Sequence, residues 1–150
     1  MAKLSGDLPV ANIKWLKFDD FEFLCFSLAR DLLSFNEPIP DFESCDLKLL
    51  ESALSIPVMT YGQELLYPTI EKQAAALFYS LIKNHPFKNG NKRIAVMSLM
   101  VFLFLNNLWL RIDQHKLYEL ALSVSKSLPE KRDKVLINLE KTIKISIEKV

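Results

Sequence analysis

Glycine and histidine are scarce in this 150-residue chain, at three and two residues. Cysteine is equally sparse: Cys25 and Cys45 fall in no metal-ligand or redox spacing and are too few for a disulfide framework. They read as reduced thiols packed in a cytosolic protein. No charge of one sign dominates. Nineteen basic residues stand against 18 acidic ones, which excludes a sequence-wide pull toward nucleic acid or an anionic membrane, so any anion recognition must be local. The start, MAKLSGDLPVANIKW, lacks the apolar run of a signal peptide. The apolar run from Ile94 to Leu105 is interrupted by Asn106 and Asn107, well short of the roughly 20 residues that cross a bilayer. A buried core helix in a cytoplasmic protein fits these absences. No repeat or low-complexity segment is visible, and the length and half-apolar composition predict one domain, residues 1–150, around one core.

What is present is helical patterning, with irregular stretches expected at 36–45 and 56–67. DDFEFLCFSLARDLLSF begins with acids suited to a positive helix end and carries Phe21, Leu24, Leu28 and Leu32 on one face. CDLKLLESAL predicts a shorter helix that stops near Ser55, because Pro57 disfavours helical geometry in Ile56. VMTYGQELL holds Gly62 in a polar and aromatic setting and reads as a loop or short hairpin. PTIEKQAAALFYSLIKN predicts a helix with Pro68 in its first turn, Glu71 near its start and Lys83 near its end. A core helix follows from about Arg93 to Asn107, then one capped by Asp113, then an amphipathic helix opened by Pro129 with the stripe Val135, Leu139, Ile143 and Ile147. The expected fold class is all-α, about six helices around the helix starting at Arg93, with no convincing central strand.

The scarce residues converge on HPFKNGNKR, residues 85 to 93, which holds one of the glycines, one of the histidines, three cations and two asparagines. Lys92 and Arg93 stand at a helix start, where the macrodipole disfavours cations by roughly 0.3 to 1 kcal/mol each. An anion between those charges and the helix end resolves the conflict. Free N–H groups at the helix start, with Gly90 letting the preceding backbone take positive φ, outline a phosphate site. Arg93 can grip a phosphate bidentately, Lys92 supplies a point charge, and Asn91 can cap the helix or donate to a phosphate oxygen. His85 ends the preceding helix, Pro86 favours an extended backbone for it, and its imidazole suits general-base work on an incoming hydroxyl. Phe87 reads as an anchor of the loop in the core. One at a time these residues have ordinary readings: a histidine before a proline is often a helix C-cap, and a Lys-Arg pair is often solvated. Their order and spacing carry more.

His85-Pro86-Phe87-Lys88-Asn89-Gly90-Asn91-Lys92-Arg93 resembles the signature of the Fic/Doc family, H-P-F-x-[D/E]-G-N-[G/K]-R, at the junction into a central helix. LESALSIP, LYPTIEKQAAALFYSLIKN and IAVMSLMVFLFLNN look like the surrounding segments of death-on-curing members, so the resemblance spans residues 49 to 110. It implies a Fic fold that transfers part of a nucleotide to a protein hydroxyl. By the resemblance His85 is the base for a Ser, Thr or Tyr hydroxyl, and Lys88 and Gly90 to Arg93 bind the ATP phosphates, with Mg²⁺ bridging them. Thr60, Tyr61 and Gly62 correspond to a flap that positions the target segment as an added strand. As turn residues they have an equally plain reading.

Departures from the family pattern set the subtype. Lys92 stands where AMP-transferring members have glycine, and Val96 where they carry a second arginine. In the Doc branch the lysine goes with ATP bound in a reversed sense, so the expectation is transfer of the γ-phosphate, for which positioning and charge neutralisation suffice. Asn89 replaces the acidic residue that holds Mg²⁺. An amide carbonyl ligates this hard cation without negative charge, so weaker metal binding is expected unless the phosphates, Glu64 or Glu71 help. Thr60 to Glu64 match the first five positions of the family's inhibitory motif, [S/T]-x-x-x-E-[G/N], but Leu65 breaks it. The resemblance therefore points to a separate antitoxin partner, with the stripe from Val135 to Ile147 as one surface for it, and to a translation factor, by analogy elongation factor Tu, as the target. The alternatives are an AMP transferase with an atypical anion hole and a weakly active or inactive binding module that keeps the fold, with Lys88, Lys92 and Arg93 contacting nucleic acid or a partner. Membrane association is not expected, and nucleic acid is a partner only in the last of these.

Overall fold

The computed structural model of the protein describes residues 13–32 and 39–150. Near the acidic pair Asp19 and Asp20, three helical segments follow without a break: α1 (Phe18–Asp20), a π-helical stretch (Phe21–Phe26) and α2 (Ser27–Leu32). The π stretch widens the turn and rotates the apolar face. The buried set becomes Phe21, Cys25, Phe26 and Ala29, while Leu32, expected on that face, is 64% exposed. The last residues of that expected helix, and residues 36–38 of the first irregular stretch, lie outside the described residues. Burial pushes the Cys25 thiol up to about 12, which makes it packing rather than a reactive thiolate.

Asp46 starts α3 (Leu47–Ser55), its carboxylate accepting the Leu49 N–H at 3.2 Å. The helix ends at Ser55 as expected, but not for the expected reason. Ile56 remains helical, at φ −53 and ψ −47, and the chain tightens into a 3-10 turn, Ile56–Val58, with Pro57 in its first turn, where its missing N–H is not needed. The hairpin β1 (Thr60–Tyr61) and β2 (Glu64–Leu65) follows, paired antiparallel with Thr60 opposite Leu65. Gly62 (φ 58) and Gln63 (φ 70) form its two-residue turn, and positive φ at both positions matches the twist of the strands.

Helix α4 (Ile70–Asn84) is capped by Thr69, whose Oγ1 accepts the Lys72 N–H at 3.2 Å, so Pro68 lies before the cap rather than in the first turn. Lys83 serves another helix end: its Nζ donates to the carbonyls of Ser125 and Ser127. Helix α5 (Asn91–Leu105) begins and ends two residues earlier than expected, because Gly90 is its N-cap. Beyond it come β3 (Leu108–Leu110), α6 (Gln114–Lys126) with Asp113 as its cap, a 3-10 turn at Pro129–Lys131, α7 (Arg132–Ser146) and β4 (Ile147–Lys149). Strands β3 and β4 pair antiparallel, Leu110 opposite Ile147. Ile147 is therefore a strand residue and not the end of a helical stripe, and Leu139 and Ile143 are fully buried core. Half of the stripe is thus spent on packing, while Val135 and Ile147 remain half-buried.

The architecture is all-α with two short hairpin-like sheets. Helices α4 and α5 are its centre, where Leu77, Phe78, Leu81, Ile94, Leu99, Phe102 and Leu103 are buried to 1% exposure or less. Each such side chain contributes about 1.5–3 kcal/mol on burial. Asn106, which interrupted the apolar run in the sequence, ties down the N-terminal segment: its Oδ1 accepts the Lys14 N–H at 2.7 Å and its Nδ2 donates to the Lys14 carbonyl at 2.9 Å. Trp15 packs edge-on against Phe102 at 4.9 Å. Among the described residues no helix is long and apolar enough to cross a membrane.

Candidate active site

The loop between α4 and α5 brings the histidine to the start of the central helix. His85 is the C-cap of α4, exposed, at φ 53 and ψ 55. The extended conformation expected from Pro86 does not form. A left-handed residue is the usual way to turn a chain off a helix end, and that requirement wins here at a cost of about 1–2 kcal/mol for a residue with a Cβ. Pro86 and Phe87 are buried beneath the loop. Phe87 stacks on Phe26 at 5.4 Å and tilts against Phe42 at 6.0 Å, an anchor in the core as its apolar nature suggested.

Lys88 and Asn89 project from the loop, exposed, and Gly90 is buried at φ 80. A Cβ on Gly90 would lie 2.7 Å from Ile39 Cγ1 and 3.5 Å from Arg93 Nη2. Glycine is required there for space as well as for conformation. Asn91 is buried, and its carboxamide is spent on the loop: Oδ1 accepts the Phe87 N–H at 3.0 Å and Nδ2 donates to the Phe87 carbonyl at 2.7 Å. Gly90 rather than Asn91 is the helix cap, and the Asn91 side chain is a staple that closes the loop. Lys92 is half-buried and Arg93 is 5% exposed, its guanidinium beside Gly90 and Ile39. The first Gly90-to-helix bond is the Ile94 N–H to the Gly90 carbonyl at 2.9 Å, leaving the N–H groups of the first turn without intrahelical partners. Free N–H groups and the positive end of the helix dipole therefore lie together at the start of α5, with Lys92 and Arg93 in the same turn.

Asn89 is exposed on the loop, and among the described residues no group of three or more His, Cys, Asp or Glu side chains is arranged to hold a metal ion. Glu71 cannot assist: it is buried in the first turn of α4, about 20 Å along that helix from His85 at 1.5 Å per residue. Glu64 is exposed on β2 of the hairpin. Thr60, Tyr61 and Gly62 are all exposed, Tyr61 at 82%. The hairpin is two residues deep on each side, and its unpaired strand edges can accept a further strand. Just past it, Tyr67 Oη bonds Arg132 Nη2 at 2.7 Å while that guanidinium lies over the Tyr79 ring at 5.7 Å, fixing the hairpin's exit to α4 and α7.

Two contacts to the loop had no signal in the sequence. Asn84 Nδ2 donates to the Leu49 carbonyl at 3.0 Å, and the Pro86 carbonyl accepts the Asp46 N–H at 2.8 Å. Both cross to α3, some 35 to 40 residues away in the chain, and no periodicity or spacing reports such pairings.

A left-handed histidine at the end of one buried helix leads through a stapled loop to the glycine-capped start of another, and this defines a helical protein with a histidine-bearing helix junction. The Fic/DOC family profile matches residues 21–103, more than half of the chain, and the protein belongs to that family. It is 41% identical over 69 residues to Toxin Doc of Mycolicibacterium smegmatis, across 45% of this chain and 52% of that protein. The matched region thus spans about half the length of this relative. No solved structure matches the chain.

Proposed function

We propose that the protein is a Doc-type toxin that transfers the γ-phosphate of ATP to a hydroxyl of a target protein, with a translation factor as the target class. The observation that carries this reading is the exposed His85 directly before a helix start bearing Lys92 and Arg93, in a chain of the Fic/DOC family. His85 accepts the proton of the incoming hydroxyl, whose oxygen forms the new bond to the γ-phosphorus as the bond to the ADP oxygen breaks. The N–H groups at the start of α5 hold phosphate oxygens, and Lys88, Lys92 and Arg93 balance the triphosphate charge. Lys92, where AMP-transferring members carry glycine, adds bulk and charge at that end and favours the γ- over the α-phosphate. The Asn89 carbonyl would be the neutral ligand the chain offers to the Mg²⁺ of Mg·ATP, which would supply further neutralisation of phosphate charge. The flap residues Thr60, Tyr61 and Gly62 seat the target segment beside β1 and β2. A separate antitoxin restrains the activity in the cytoplasm.

The test is transfer to a bacterial translation extract from ATP labelled on either the γ- or the α-phosphate. Protein-bound γ-label, lost in His85→Ala, is expected. Protein-bound α-label would replace this reading with AMP transfer. No label from either, together with an unchanged growth phenotype for His85→Ala, would identify a non-catalytic binding module.

A further inference from the structure

We infer that Asn84 is a positioning residue for His85 and that, together with the first turn of α3, it holds the histidine in its left-handed backbone conformation. The inference rests on His85 being the reacting base. A residue with a Cβ persists at φ 53, ψ 55 only where its surroundings over-determine it, and such residues cluster at functional sites. Here the surroundings act from both sides. Upstream, Asn84 Nδ2 holds the Leu49 carbonyl at 3.0 Å; downstream, the Asp46 N–H holds the Pro86 carbonyl at 2.8 Å. Both partners sit on one turn of α3, which is itself fixed by the Asp46 carboxylate on the Leu49 N–H and by the burial of Leu50, Ala53 and Leu54.

Residues 84 and 86 are thus pinned to the same rigid body, and the residue between them cannot change ψ without breaking one of the two bonds. The imidazole needs this. Among the described residues no protein group hydrogen-bonds it, so the orienting partner that usually aims a general base is replaced by control of the backbone beneath it. An ordinary C-cap would need only the left-handed turn. The double tie to a helix some 35 to 40 residues upstream goes further than that.

Three variants separate the roles. Asn84→Ala removes the upstream bond. Asp46→Pro removes the downstream N–H, with Asp46 at φ −79 and Cys45 at φ −70, ψ 154 both compatible with proline. Asp46→Ala loses the same carboxylate but keeps the N–H. Asn84→Ala is expected to lower kcat for γ-phosphate transfer about tenfold with KM for ATP within about twofold, and Asp46→Pro to fall below Asp46→Ala. The Cα and Cβ chemical shifts of His85 should leave the left-handed range in Asn84→Ala and in Asp46→Pro. Unchanged shifts in both variants overturn the inference, as do moved shifts with unchanged kcat. A wild type that transfers no phosphate counts against the kinase reading alone, because the shifts still decide whether α3 holds the histidine.

Discussion

The loop between α4 and α5 and the hairpin between α3 and α4 are both short connections turned by positive-φ residues, yet they are held in opposite ways. The loop is buried from beneath by Phe87, stapled internally by Asn91 and tied to α3 on both sides of His85. The hairpin keeps its own short ladder, continued by the Leu66 N–H to the Met59 carbonyl at 3.0 Å, is tied to the helices only past its exit at Tyr67 among the described residues, and exposes Thr60, Tyr61, Gly62, Gln63 and Glu64. Under the proposed function the difference divides the work. Chemistry needs groups fixed in advance where charge develops, whereas a docking strand must accept a partner whose backbone is not yet there. Substitutions should therefore register as stability and chemistry in the loop, and as recognition in the hairpin.

The largest effect is expected at Phe87. Its ring is fully buried and packed on Phe26 and Phe42, so Phe87→Ala should cost about 3–5 kcal/mol in urea unfolding. A loss below about 1 kcal/mol would mean that the loop is not anchored through this ring.

The two positive-φ glycines give a matched pair. Gly90→Ala meets Ile39 Cγ1 at 2.7 Å as well as the strain of φ 80, and overpacking adds to the backbone cost, for about 2–4 kcal/mol in all. It should also weaken Mg·ATP binding, measured by calorimetry, because the start of α5 must shift. Gly62→Ala meets nothing within 4 Å at φ 58, so only the backbone cost of about 1–2 kcal/mol applies, with Mg·ATP binding unchanged. Equal losses at the two positions would erase the distinction between a buried loop and an open turn.

Much of the helical order was legible in the sequence, because long periodic segments with caps at Asp113 and breaks at Pro86 declare themselves. What was not legible depended on other parts of the chain. The π stretch at Phe21–Phe26 moved a helix face without any Gly or Pro to mark it. Strands β3 and β4 are three residues each, too short for alternation to stand out from a helical background. In the motif, residue types suggested an anion site, and tertiary packing set where each side chain lies. Asn91 turned inward as a staple, Arg93 went beneath Gly90, and the left-handed form of His85 depends on Asp46 and Leu49, far upstream. Local chemistry can be read from a local string; what holds that chemistry in place is tertiary.

The smallest effect on stability, and the most selective on function, is expected at Tyr61. With 82% of the residue exposed and no buried partner to lose, Tyr61→Ala should change unfolding free energy by less than about 0.5 kcal/mol and leave Mg·ATP binding intact. If the hairpin seats the target, an exposed aromatic beside the added strand supplies about 1–2 kcal/mol of recognition. That is roughly a five- to thirtyfold fall in γ-label transferred to protein in a translation extract at low target concentration. Raising the target concentration should restore the rate, since the reacting groups on the α4–α5 loop are untouched. A fall that persists at saturating target would place Tyr61 with the chemistry instead, and the separation of a fixed loop from an open hairpin would not hold.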